Sequence, residues 1–130
     1  MLNQLLSKKP AFLYTGPATH EDIEKAEAAL QLRFSKEYKE YLQQFGVATF
    51  QGHELTGITK SNRLNVVSVT EKEREKMPTI PNSFYVLEEA HIDGIVIWQI
   101  VSGEVFQTQY GTAEVKLLYK SLVDYIEACK

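Results

Sequence analysis

Hydrophobic positions change their period along this chain, dividing it into a helical first third, a mixed middle and an extended second half. Leu2, Leu5 and Leu6 fall at helical spacing and predict a short N-terminal helix, ended before Pro10 because a residue preceding proline is pushed out of the helical region. Phe12 and Tyr14 belong to an extended connector that closes in a Gly16-Pro17 turn. Thr19 then stands as an N-cap, and Glu21 and Asp22 place carboxylates in a first turn where the helix dipole favours them. The helix this opens, His20 to Gln31, turns Ile23, Ala26 and either Ala29 or Leu30 inward. Ser35 caps a second helix in which Tyr38, Tyr41, Leu42 and Phe45 share one apolar face, and Gly46 ends it in a left-handed conformation. The link between the two helices is short, so they pack as neighbours.

Beyond Gly46 the pattern becomes extended. Glu54 to Ile58 and Leu64 to Val69 read as strands of a hairpin around the polar turn Lys60-Ser-Asn-Arg63. Thr70-Glu-Lys-Glu73 has the form of a capping box and predicts a charged helix that stops near Met77, because Pro78 and Pro81 follow. Phe84 to Glu88, Ile95 to Val101 and Val105 to Gln109 then form a meander, with turns at Asp93-Gly94 and Ser102-Gly103. Ile95 to Val101 is apolar at successive positions and is therefore a central strand covered on both faces. Val115, Leu117 and Tyr119 alternate in a last strand, and Ser121 caps a terminal helix whose inner face is Leu122, Tyr125, Ile126 and Cys129. The fold class this order predicts is α+β, with helices packed on a predominantly antiparallel twisted sheet in a single domain over residues 1–130.

Composition agrees with a single core: 130 residues, 44% of them apolar, suffice for one domain without staples. Cys129 is the lone cysteine, so no disulfide framework exists and a reducing, cytoplasmic setting is expected. No stretch has the roughly 18 apolar residues of a membrane span, and no membrane partner is expected. A net charge of −3 argues against direct nucleic-acid binding, which needs clustered Lys and Arg.

Candidate chemistry is sparse. His20, His53 and His91 lack a second His or Cys at metal-ligand spacing, so no metal and no cofactor is predicted. Gly52 and Gly57 have the separation of a phosphate loop, but Ile58-Thr59 stands where a Lys and a hydroxyl residue would be required. Glu88 and Glu89 are adjacent in a strand and leave opposite faces, so they cannot work as an acid/base pair. With no nucleophile, base and orienter together, the expectation is that the protein is not an enzyme. Charge is uneven, however. Residues 1–76 carry eleven Lys/Arg against ten Asp/Glu, whereas residues 77–130 carry three against seven, and no basic residue lies between Lys76 and Lys116. That half is either an ordinary solvated sheet face or an acidic docking face for a basic partner.

The order of features resembles the SUKH superfamily, also known through its Smi/Knr branch. The resemblance rests on Ile23, Glu27, Leu30 and Leu32, then Phe34-Ser35, Tyr38-Lys39, Tyr41-Leu42 and Phe45-Gly46. It continues through Leu55-Thr-Gly57-Ile58, Val66-Val67, Asp93-Gly94, Gly103-Glu-Val105 and Ser121-Leu122, and so covers roughly residues 19–129. Ser35 replaces the family's usual proline, and Phe45-Gly46 stands in place of an Asn-Gly-Gly. The resemblance implies an α+β fold and, for bacterial members, an immunity protein that binds and neutralises the toxin domain of a polymorphic or contact-dependent toxin, often a nuclease. Eukaryotic members instead look like regulatory interaction modules, and an intracellular scaffold without a toxin is the alternative. On the first reading the partner is a cognate toxin bound by a monomer or weak homodimer. Glu88, Glu89, Asp93 and Glu104 would contribute charge, and Trp98 or Tyr110 an aromatic anchor. Trp98, in a central strand, reads more readily as core than as an anchor.

Overall fold

The computed structural model describes residues 2–129. The N-terminal helix is present as α1 (Leu2–Ser7), and Phe12-Leu-Tyr leads into a two-residue strand, β1 (Leu13–Tyr14). At α2 (His20–Leu30) the cap is a complete box: Thr19 Oγ1 accepts the Asp22 N–H at 3.1 Å, and the Asp22 carboxylate accepts the Thr19 N–H at 3.2 Å. Gln31 closes the helix in the left-handed region, with φ 55°. In α3 (Lys36–Phe45), Ser35 Oγ accepts the Tyr38 N–H, and Tyr38, Tyr41, Leu42 and Phe45 are all buried.

The tyrosines of α3 are core residues with a polar duty. Tyr38 shares a 2.9 Å hydrogen bond with Thr56 Oγ1; Tyr41 donates to the Thr56 carbonyl and accepts the Ala48 N–H, each at 2.9 Å. Phenylalanine would fill the same space and leave those backbone groups unpaired. Through these bonds α3 holds β2 (Ala48–Phe50) and the loop after β3 (His53–Glu54) against itself. β1, β2 and β3 form a small antiparallel sheet in that order, and β2 turns into β3 through Gln51 and Gly52, at φ 48° and 82°.

Three backbone segments cross near the end of α3. Gly16 N–H donates to the Phe45 carbonyl at 2.9 Å, and Ile58 N–H donates to the Gly46 carbonyl at 3.2 Å. A Cβ on Gly57 would lie 1.7 Å from the Gly46 oxygen, and one on Gly46 would lie 2.2 Å from the Gly16 oxygen. Only glycine permits this approach.

The middle of the chain departs from the expected hairpin. Leu64 to Val69 is not a strand: Asn65 caps α4 (Val66–Lys76), its side chain accepting the Val67 and Ser68 N–H groups. The β-branched run reads as extended locally, yet Val66, Val69, Thr70 and Glu73 share one helical face and are buried against the sheet. Thr70 is therefore interior to the helix rather than its cap, and its hydroxyl accepts the Val86 N–H at 3.0 Å. Of the strand expected over Glu54 to Ile58, only Glu54 is paired, in β3, and what joins the two segments is a single parallel bridge between Gly57 and Asn65.

The meander is as expected. β4 (Tyr85–Glu89), β5 (Ile95–Gln99), β6 (Val105–Gln109) and β7 (Lys116–Tyr119) form a four-stranded antiparallel sheet in sequence order, with a bulge in β4 between Val86 and Glu88. α5 (Leu122–Ala128) follows, capped by Ser121 and by the Glu37 carboxylate, which reaches from α3 to accept the Leu122 and Val123 N–H groups. β5 is covered on both faces. Ile97, with Tyr85, Leu87 and Val105, joins the large core beneath α3 and α5; Val96 and Trp98 join a smaller one formed with Val69, Met77, Ile80, Phe84 and Val86. The whole is a single α+β domain with two antiparallel sheets.

Candidate functional site

Strand alternation places the two adjacent glutamates on opposite sides of β4, and each organises a separate cluster. Glu89 faces α4. It pairs with Lys72 at 2.7 Å and stands next to Glu73, which is sealed from solvent. Tyr110, beyond the end of β6, donates its hydroxyl proton to Glu73 Oε1 at 2.6 Å, while Lys76 lies 5.2 Å from its ring centre. Glu73 is pushed up to about 7, by burial first and then by the hydrogen bond it shares with Glu89. Glu89 is held below the usual carboxylate range, although burial opposes this, because the Glu73 proton and the Lys72 ammonium favour its anion. The two carboxyls are thus neighbours with opposite leanings, Glu73 toward its acid and Glu89 toward its anion.

Glu88 faces the other way, into a cavity of about 410 Å³ between β3, the sheet and α5. Its Oε1 accepts the Tyr125 hydroxyl at 2.5 Å and lies 3.1 Å from His53 Nδ1; its Oε2 accepts the Glu54 N–H at 2.8 Å. The His53 ring stacks on Phe50, with ring centres 5.4 Å apart. Cys129 completes the cluster, and one ligand atom each from His53, Glu88 and Cys129 lie within 4.8 Å of one another. Burial, then the Glu88 charge, pushes the Cys129 thiol up to about 11, which favours the thiol over a nucleophilic thiolate.

The six residues singled out from the sequence do not form one surface. Trp98 is fully buried: Phe84 packs against it and its Nε1–H donates to Thr108 at 2.8 Å, so it offers no face to a partner. Glu88 is likewise buried, 4% exposed, because the bulge in β4 directs it beneath α5. Asp93 and Glu104 are at opposite ends of β5, about 17 Å apart along a strand of that length. Glu89, Asp93 and Tyr110 do share one corner, where Gly94 packs beneath the Tyr110 ring. That corner is not purely acidic. The base-free stretch of sequence is bordered in space by Lys72 and Lys76 of α4. Sequence reasoning missed His53 and Cys129 as neighbours of Glu88, and Glu73 as the partner of Glu89. The strand period gave the opposite faces of the two glutamates, but nothing local signals contacts across so many residues.

An antiparallel meander with helices on both faces, joined to a small sheet at the end of a tyrosine-rich helix, defines a compact α+β module. The chain belongs to the SUKH family: a SUKH family model described as SMI1-KNR4 cell-wall matches residues 1–129. None of the curated proteins matches it. No helix among the described residues is long and apolar enough to cross a membrane.

Proposed function

We propose that this protein is an immunity protein, which binds a cognate toxin domain, a nuclease domain in the reading we favour, and neutralises it by stoichiometric contact. It acts by occupancy rather than turnover. Family membership over residues 1–129 is the observation that carries this reading. The Tyr110 corner supports it physically. The ring is 41% exposed, yet its hydroxyl is already tied to Glu73 and its face to Lys76, so docking would immobilise little that is free. Aromatic anchors of this kind dominate interface energetics, and the exposed carboxylate of Asp93 beside the ring favours a basic group on the partner. The cell-wall wording of the family description favours a second reading, a regulatory module that binds a cellular protein without a toxin.

Co-expression with the C-terminal domain encoded by the adjacent gene separates the two. An immunity protein restores growth and co-elutes with that domain as an equimolar complex. Absence of both rescue and complex sinks the proposal. Within a complex, Tyr110→Ala should weaken binding about 30-fold or more, read by titration calorimetry.

A further inference from the structure

We infer that His53, Glu88 and Cys129 form a binding site for a thiophilic divalent cation of the zinc class, opening onto the cavity beneath α5. Three observations converge on it. The donor set is the first: imidazole nitrogen, carboxylate oxygen and sulfur are the ligand types zinc takes, and three protein ligands leave a fourth position open. Spacing is the second. Two ligands at about 2.0 Å from a tetrahedral ion stand about 3.3 Å apart. His53 Nδ1 is 3.1 and 3.3 Å from the two oxygens of Glu88, and the three ligand atoms all lie within 4.8 Å. Closing the sulfur in requires a shift of about 1 Å, which is of the size that rotation about the Cys129 Cα–Cβ bond supplies.

The third is the support around the carboxylate. Glu88 is buried and fixed by two donors that a cation need not displace, the Tyr125 hydroxyl on Oε1 and the Glu54 N–H on Oε2. Outer partners of this kind orient a ligating carboxylate. Tyr125 is thus a positioning residue. Binding replaces the His53 to Glu88 contact with two bonds to the ion: Nδ1 offers its lone pair with the ring proton on Nε2, and the Cys129 thiol loses its proton to solvent. The cavity, lined by Ala90, Ile95, Ile97 and Leu118 among others, leaves room for a water or an incoming ligand at the open position. None of this depends on the toxin-binding reading.

Co²⁺ alone, titrated into the full chain, tests the site. The expected result is an equimolar end point with a sulfur-to-cobalt charge-transfer band in the near ultraviolet and the intense visible absorption of a four-coordinate ion. Zn²⁺ should displace it. Cys129→Ser should abolish the charge-transfer band, and His53→Ala and Glu88→Gln should each weaken binding at least tenfold. Tyr125→Phe should weaken it about tenfold while keeping the band. His20→Ala and His91→Ala should change nothing. Protection of the Cys129 thiol from alkylation by Zn²⁺ in the unaltered chain gives a readout that needs no variant to fold. Absence of the band and of protection, or binding that survives Cys129→Ser and His53→Ala, would overturn the assignment.

Discussion

Glu73→Gln should remove a loss of stability that the parent protein suffers between pH 5 and pH 8. The native carboxyl holds its proton to about pH 7, whereas an unfolded glutamate releases it near 4.5. Between those values the native state binds more protons than the unfolded state, so stability falls as pH rises and levels off above the native value. One proton over that window sets a ceiling of about 3 kcal/mol. Two features lower it. The carboxyl is bonded to the exposed Tyr110 and has Lys76 Nζ 4.0 Å away, and Glu89 shifts in the opposite direction. A loss of about 1–2 kcal/mol between pH 5 and pH 8 is therefore expected. Glutamine keeps the bond from Tyr110 on its oxygen and sets its amide beside Glu89, without a proton to lose. Urea denaturation followed through the fluorescence of Trp98, the single tryptophan, reads the effect at each pH. The variant should be the more stable protein at pH 8 by about the same amount. Other groups titrate in this range, so the difference between the two proteins is the measurement. Parallel pH profiles, or a parent protein that gains stability from pH 5 to pH 8 relative to the variant, would refute the raised Glu73 value.

Four further outcomes follow from the same contacts. Gly57→Ala should cost more than about 3 kcal/mol or prevent folding, whereas Gly52→Ala, with open space but a positive φ, should cost only about 1 kcal/mol; chemical denaturation distinguishes them. Tyr41→Phe should destabilise by about 1–3 kcal/mol, because the Ala48 N–H and Thr56 carbonyl lose their buried partner. Asn65→Ala should cost about 1 kcal/mol in thermal unfolding, as loss of a helix cap does, and a null effect would count against α4 beginning there. Asp93→Asn, at an exposed turn with φ 54° that asparagine also tolerates, should slow association with a basic toxin domain in stopped-flow mixing while leaving the denaturation midpoint unchanged.

Legibility followed the range of the interaction that decides each feature. Thr19, Ser35 and Ser121 announce their helices because a cap is settled within a few residues, and the turns Asp93-Gly94 and Ser102-Gly103 announce the meander for the same reason. Val66 to Val69 misled because β-branched residues favour extended backbone locally, while burial of Val66, Val69, Thr70 and Glu73 against β4 selects the helix. β2 is too short to show a period, and it exists because Tyr41 and Phe50 anchor it. The opposite faces of Glu88 and Glu89 were legible from strand alternation. Their partners were not, since Lys72, Glu73 and Tyr110 on one side and His53, Tyr125 and Cys129 on the other come from distant elements. A gap in basic residues along the sequence likewise says nothing about which lysines a neighbouring helix brings alongside.

The glycine crossing has a consequence for reading relatives of this chain. Gly46 and Gly57 are fixed by the volume of a backbone oxygen, so no drift in partner, host or binding chemistry relaxes them. They should stay constant among homologues that recognise unrelated targets, while Tyr110 and Asp93 vary with the target. Both glycines fall within the segments that carry the family resemblance. In this fold, invariance should mark where the chain passes over itself, and comparison of the sequences of relatives checks it.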